Sequence, residues 1–246
     1  MRVAKLTTIL EQHPLRNQLI RHPFFTELEE SPLTRADIAR LVGQWWHPLH
    51  YFPTFLSRLI AVSESLTIKV SSSRILFQEL GEGDPARAHE VVFQQTMRDV
   101  GIAPSQATGA EASVCTAALV SGYMEASRTE LEGVAFLYAT EVADLSMVSA
   151  LGTAIRRVTG AVALPWVDIH VAQEPDHVYE AEQATSLEFD DLQMNVLIAT
   201  AARCWTLWSE FFAALAAETA SAHACQPGAS AQTLTTVPSM GVIGAS

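Results

Sequence analysis

The sequence predicts an all-α bundle of about seven or eight helices in a single domain. Apolar residues recur at helical spacing along most of the chain, no stretch alternates with the two-residue period of a strand, and glycine and proline stop signals leave short connections. Hydrophobic residues make up 49% of the 246, enough for a sizeable core.

Each element follows from local signals. In SPLTRADIARLVGQWWHPLHYFPTFLSRLIAV, Thr34 with Asp37 three residues on resembles a capping box, and Ile38, Leu41, Val42, Trp45 and Trp46 then keep helical spacing. Pro48 and Pro53 are expected to kink or interrupt this long element. A second helix is expected from about Ser65 to Leu80, where Gly81 and Gly83 stop it. Asp84-Pro85 reads as a cap with proline at the first helical position, opening a helix that carries His89 one turn in and ends at Gly101. Further helices are expected at about 107–126, 129–158, 166–184 and 186–219. The domain is expected to occupy residues 1–222 and a disordered tail residues 223–246, which after Cys225 read QPGASAQTLTTVPSMGVIGAS.

Composition narrows the class of function. A formal net charge of −12, with no cluster of Lys or Arg, argues against a nucleic-acid partner. The start, MRVAKLTTILEQHP, breaks its apolar residues with Thr7, Thr8, Glu11 and Gln12, so no signal-peptide core is read there. No uninterrupted apolar run reaches the ~18 residues of a membrane span. Cys115, Cys204 and Cys225 have neither disulfide nor zinc-knuckle spacing, and a reducing cytoplasm is the expected setting.

Three stretches carry chemistry. In WVDIHVAQEPDHVYEAE, His170, Glu174 and His177 stand at i, i+4 and i+7, within an arc of about 60° on one helix face. Two imidazoles and a carboxylate so placed suit divalent iron, manganese or zinc, whereas Ca²⁺ and Mg²⁺ prefer oxygen alone. A solvated polar face is the open alternative, and Pro175 threatens to redirect Glu174. In GVAFLYATEVADLSMVSALG, Glu141 sits on an otherwise apolar helix, where an unpaired buried carboxylate is costly and asks for a proton, a partner or a metal. Asp144, three residues on, reads more readily as a surface acid than as a support for the site. The third stretch, ELGEGDPARAH, is a solvated turn by itself; with the other two in view, Glu79 or Glu82 and His89 complete a set of three histidines and three carboxylates. Such sets are built inside helical bundles from facing helices.

These motifs resemble the haem-oxygenase-like diiron oxidases and oxygenases, the iron-containing redox enzymes. That family shows an E-x-G-x-G segment followed by a histidine, a glutamate on a central helix, and an H-x-x-x-D-x-x-H helix. Here they are Glu79-Leu80-Gly81-Glu82-Gly83 with His89, then Glu141, then His170, Glu174 and His177, with glutamate where the family has aspartate. The resemblance spans most of residues 35 to 180 and places Glu79, ahead of the first glycine, rather than Glu82, as the first acidic ligand.

The resemblance implies a haem-oxygenase-like bundle with a metal site in its interior, holding two Fe(II) ions with O₂ as co-substrate. Glu79 and His89 would serve one iron, His170, Glu174 and His177 mainly the other, and Glu141 would bridge them. It further implies a peroxo-diferric intermediate and specialised metabolism, with members acting on amino acids, amines or fatty acids by N-oxygenation, desaturation or oxidative C–C cleavage. The polar residues Gln44, His47 and His50 beside abundant aromatic residues favour a small amino-acid-derived or amine substrate. Oxidation or decarboxylation of a fatty acid, a metal-free binding protein and a cofactorless enzyme remain alternatives. Relatives that degrade thiamin use a cysteine in an aromatic context that none of the three cysteines here supplies. Gln44, His47 and His50, in QWWHPLHYFP, are the candidate substrate-binding residues, with partly buried structural histidines as the plainer reading. A small-molecule substrate is the expected partner, with a homodimer as an option.

Overall fold

The computed structural model describes residues 6–224, which form eleven α-helices and one 3-10 turn. Three short helices precede Thr34 and escape the periodicity reading: α1 (Leu6–Glu11), α2 (Pro14–Leu19) and α3 (Pro23–Glu30). Each has too few turns to show a period, yet α2 and α3 share a start signal. Pro14 and Pro23 stand in the first turn, and the Nδ1 atoms of His13 and His22 accept the backbone N–H two residues on.

Helix α4 (Arg35–Val62) opens on the expected capping box, with Thr34 and Asp37 bonded reciprocally. It runs through Pro48 and Pro53 without interruption. Each proline removes one i→i−4 bond, but Ile38, Leu41, Val42, Trp45, Phe55, Leu56 and Leu59 bury one long side in the core, and packing outweighs the lost bonds.

Helix α5 (Leu66–Glu79) starts at the Ser65 cap. A 3-10 turn (Pro85–Arg87) and α6 (His89–Asp99) follow. Asp84 therefore caps the separate 3-10 turn, not the expected long helix, and His89 is the first residue of α6 rather than one turn into it. The stretch read as one helix from about 107 divides into α7 (Pro104–Ala107) and α8 (Val114–Ala126).

The remaining helices are α9 (Glu130–Thr159), α10 (Pro165–Ala184) and α11 (Asp191–Ala224). Helix α11 begins later than expected and extends to Ala224, past the boundary drawn at 222; the tail expected to be disordered otherwise lies outside the described residues. Helix α9 is the centre of the bundle, packed against α3, α4, α10 and α11. By length and composition it would span a membrane, but 72% of its most apolar window is buried inside the bundle, the environment of a core helix. Helix α10 lies between α9 and α5, which sets the geometry of the site.

Candidate metal centre

The stretch ELGEGDPARAH closes one side of the centre. After Glu79 the chain leaves α5 with Gly81 N–H bonded to Gln78 C=O and Glu82 N–H to Phe77 C=O, the paired bonds of a Schellman ending. Gly81, Glu82 and Gly83 all have positive φ, of 82°, 57° and 92°. A Cβ on Gly81 would lie 2.2 Å from the Asp84 carbonyl oxygen, so only glycine fits this fold-back. The tight return brings the last residue of α5 beside the first of α6, with Glu79 Oε2 3.0 Å from His89 Nδ1. Glu82, by contrast, is exposed and pairs with Arg87 at 3.0 Å.

The other ligands come from α9 and α10. Glu79, His89 and His170 form one group, and Glu141, Glu174 and His177 another; within each group the ligand atoms all lie within 4.8 Å of one another. The ring centroids of His89 and His170 are 4.6 Å apart, and those of His89 and His177 6.4 Å, so the groups adjoin. Pro175 does not divert Glu174: helix α10 continues through it, and the proline faces solvent while Glu174 is buried.

Two ring orientations are set from outside. His170 Nδ1 lies 2.8 Å from the Trp166 carbonyl, which only accepts, so Nδ1 carries the proton and Nε2 is the free donor atom. His89 Nε2 lies 2.9 Å from Gln173 Oε1, which again only accepts, so in the neutral ring Nδ1 is the nitrogen without a proton, and it faces Glu79.

Many buried polar atoms here have no hydrogen-bond partner. His89 Nδ1, Glu141 Oε1, both Glu174 carboxylate oxygens and His177 Nε2 account for five of the ten such side-chain atoms among the described residues. Although the Glu79–His89 approach is short, it is not aligned as a hydrogen bond. Glu141 Oε2 and His177 Nδ1 stand 3.4 Å apart. Orphaned buried groups cost about 1–3 kcal/mol each, and more when charged, so concentrating them on two facing groups fits a cation at each. The mixed carboxylate and imidazole donors suit a divalent first-row transition metal such as iron.

Charge couples these groups. Burial alone would raise the Glu79 carboxyl, but His89, with His177 and His170, holds it at about 2. Burial opposes protonation of His89 too, yet Glu79 raises it. His170 is lowered to about 4 by burial and then by the His89 charge. His177 is raised to about 9 because Glu141, followed by Glu79 and Asp144, outweighs burial. Glu174 is pushed up by burial and then by Asp144 and Glu141.

Asp144 corrects its reading as a surface acid. It sits one turn after Glu141 on α9, half-buried beside the Glu174 carboxylate, and lines the same cavity as Glu79, Glu141, His170 and His177. Burial, followed by the Glu141 and Glu79 charges, raises its carboxyl. The i, i+3 spacing from Glu141 was the available signal.

The cavity, of about 50 Å³, is also lined by Trp45, Pro48, Leu49, Phe52, Tyr123, Thr140 and Trp208. Tyr123 and Thr140 are tied down. Thr140 Oγ1 donates to the Phe136 carbonyl, so Tyr123 donates to Thr140 at 2.7 Å and accepts from Trp208 Nε1 at 3.2 Å. Gln44, His47 and His50 do not line this cavity. Gln44 bonds the Glu111 carbonyl, Ser113 N–H and Thr116 Oγ1, and His47 bonds the Ala110 carbonyl. His50 pairs with Glu90 at 2.7 Å. The stretch QWWHPLHYFP does wall the site, but through its other face, at 45, 48, 49 and 52. Helical phase relative to neighbours decides this, and no local pattern records it.

Comparison with known proteins agrees with this architecture. A CADD-like protein of unknown function from Nostoc punctiforme superposes with a TM-score of 0.72 at 14% identity, over 87% of this chain and 95% of that one. A domain of unknown function with a heme oxygenase-like fold from Shewanella denitrificans gives 0.70 at 14% identity, over 88% and 94%. A TenA homolog from Pseudomonas syringae gives 0.68 at 11% identity, over 88% and 98%. At such identities these likenesses establish the fold, a heme oxygenase-like all-α bundle. No curated protein matches the chain in sequence. The description iron-containing redox enzyme matches residues 39–209, a span that includes all six clustered ligands, and the chain belongs to that family.

Proposed function

We propose that the protein is an O₂-dependent non-haem diiron oxidoreductase. In this reading Glu79, His89 and His170 hold one iron, and Glu141, Glu174 and His177 hold the other. The observation that carries it is the pair of adjoining buried groups whose orphaned nitrogen and oxygen atoms face one another. Iron bound there would supply the electrons that reduce O₂ and so the oxidising power that acts on a substrate.

The chain's own residues bind, orient and shield. Gln173 and the Trp166 carbonyl hold the His89 and His170 rings with a free nitrogen turned towards the site. Trp45, Phe52 and Trp208 exclude water from the substrate side. The Tyr123 phenol, its proton committed to Thr140 and its ionisation raised well above the ordinary value by burial, serves as a fixed wall and not as a base.

The cavity also constrains the substrate. Its lining includes no Lys or Arg to receive a carboxylate, and its about 50 Å³ has room for only a few water-sized groups. These features favour a small, mostly apolar amine over a free amino acid or a long fatty acid. The preference for an amino-acid-derived substrate rested on Gln44, His47 and His50, which bond elsewhere.

Anaerobic Fe(II) reconstitution followed by O₂ exposure, with optical monitoring, tests the reading. The expected result is close to two irons per chain and an optical change that requires O₂. Failure to bind iron, or an unchanged response in Glu141→Ala, would overturn it.

A further inference from the structure

We propose that Asp144 is a fourth carboxylate ligand of the metal centre, acting at the position of Glu141, Glu174 and His177 and making that position richer in oxygen than its neighbour. The inference rests on the two-metal reading and adds to it a residue outside the six-ligand set.

Three observations converge. First, Asp144 follows Glu141 by three residues on α9 and lines the same cavity as four of the six ligands. Second, its carboxylate reaches that of Glu174, a residue 3% exposed whose two oxygens have no donor. Asp144 is half-buried and Glu174 buried, and two carboxylates side by side repel each other unless a positive group stands between them. A shared proton would occupy only the contact between them, leaving Glu141 Oε1 and His177 Nε2 orphaned; a cation answers all of them. Third, the charges balance. The cavity lining contains no Lys or Arg, and neutral imidazoles contribute no charge, so Glu79, Glu141, Asp144 and Glu174 together match two divalent ions. Without Asp144 the centre would carry a net positive charge in a buried site, where imbalance is costly.

The two positions then differ chemically. Glu79, His89 and His170 offer one carboxylate and two imidazoles, whereas Glu141, Asp144, Glu174 and His177 offer three carboxylates and one imidazole. The second position should accept a hard ion such as Mn(II) readily, since carboxylate ligands suit it.

Anaerobic Mn(II) titration, with free ion read by electron paramagnetic resonance, tests this on the full chain. Wild type should take up two ions. Asp144→Asn should keep one and bind the second at least tenfold more weakly, while Asp144→Glu should recover part of the loss. Asparagine can still donate a hydrogen bond to Glu174, so if Asp144 merely supports Glu174 the Asn variant will bind both ions as wild type does, and the proposal fails. Should Asp144→Asn not fold, equal second-ion affinity in Asp144→Glu and Asp144→Ala would also overturn it, and a tenfold gap favouring Glu would uphold it. If wild type binds no ion, even with Fe(II), the two-metal reading itself is wrong.

Discussion

Asp37 and Glu174 are both buried carboxylates, 5% and 3% exposed, and their surroundings are opposite. Asp37 accepts from Thr34 N at 2.8 Å, Thr34 Oγ1 at 2.6 Å, Arg40 at 3.0 Å and His223 at 2.8 Å. Although burial alone would raise it, the donors, Thr34 first, hold its carboxyl at about 2. Glu174 has no donor among the described residues, and burial together with Asp144 and Glu141 raises it. A carboxylate that fastens helices is surrounded by N–H and O–H groups; one that awaits a cation is surrounded by other ligands. Burial alone does not separate the two, and the partner list does.

The largest effect expected from this contrast is on metal uptake. Removing Glu141, the carboxylate nearest His177, should weaken binding on the order of 100-fold or more, because even a partner outside the ligand set is worth 10–100-fold; elemental analysis after dialysis reads this out. Gln173→Leu should fall within that lesser range, on the order of 10-fold, by freeing the His89 ring to present the wrong nitrogen. A Gln173→Leu protein with wild-type affinity would show that the ring is held by other means.

Stability should then move in opposite directions at the two carboxylates. Asp37→Ala is expected to cost about 2–3 kcal/mol in chemical denaturation, since it removes a cap and strands Arg40 and His223. In the metal-free protein Glu174→Met should instead be neutral or stabilising by about 1–2 kcal/mol, because an apolar chain replaces a carboxylate with no donors. Equal losses at both positions would erase the distinction.

The smallest effect is in pH dependence. Asp37 is held at about 2 against an ordinary 3.8, so its folded-state value is depressed. Its contribution is fully present above about 4 and disappears as pH falls through about 2. The stability difference between wild type and Asp37→Asn should therefore shrink over that window. A gap that stays constant from pH 5 to pH 2 would remove ionisation from the account of this cap.

Much of the centre was legible because helical spacing is local. His170, Glu174 and His177 share a face by arithmetic, although His170 groups with Glu79 and His89 and not, as expected, with the other two, and Gly81 with Gly83 announces a tight return between Glu79 and His89. The α4 capping box and the long apolar α9 were equally plain. The short helices α1 to α3 were not, since one or two turns give no period to detect.

The sequence by itself determined the helical class, the main breaks and the residue types able to hold metal, because capping, turn chemistry and periodicity act within a few residues. Only the tertiary structure decided which face of α4 looks into the cavity, sending Trp45, Pro48, Leu49 and Phe52 inward and Gln44, His47 and His50 to other partners. It also brought Asp144 against Glu174, two carboxylates thirty positions apart whose meeting depends on how α9 and α10 pack. Rotation of a helix about its axis is set by long-range packing, and that rotation separates a ligand from a surface acid.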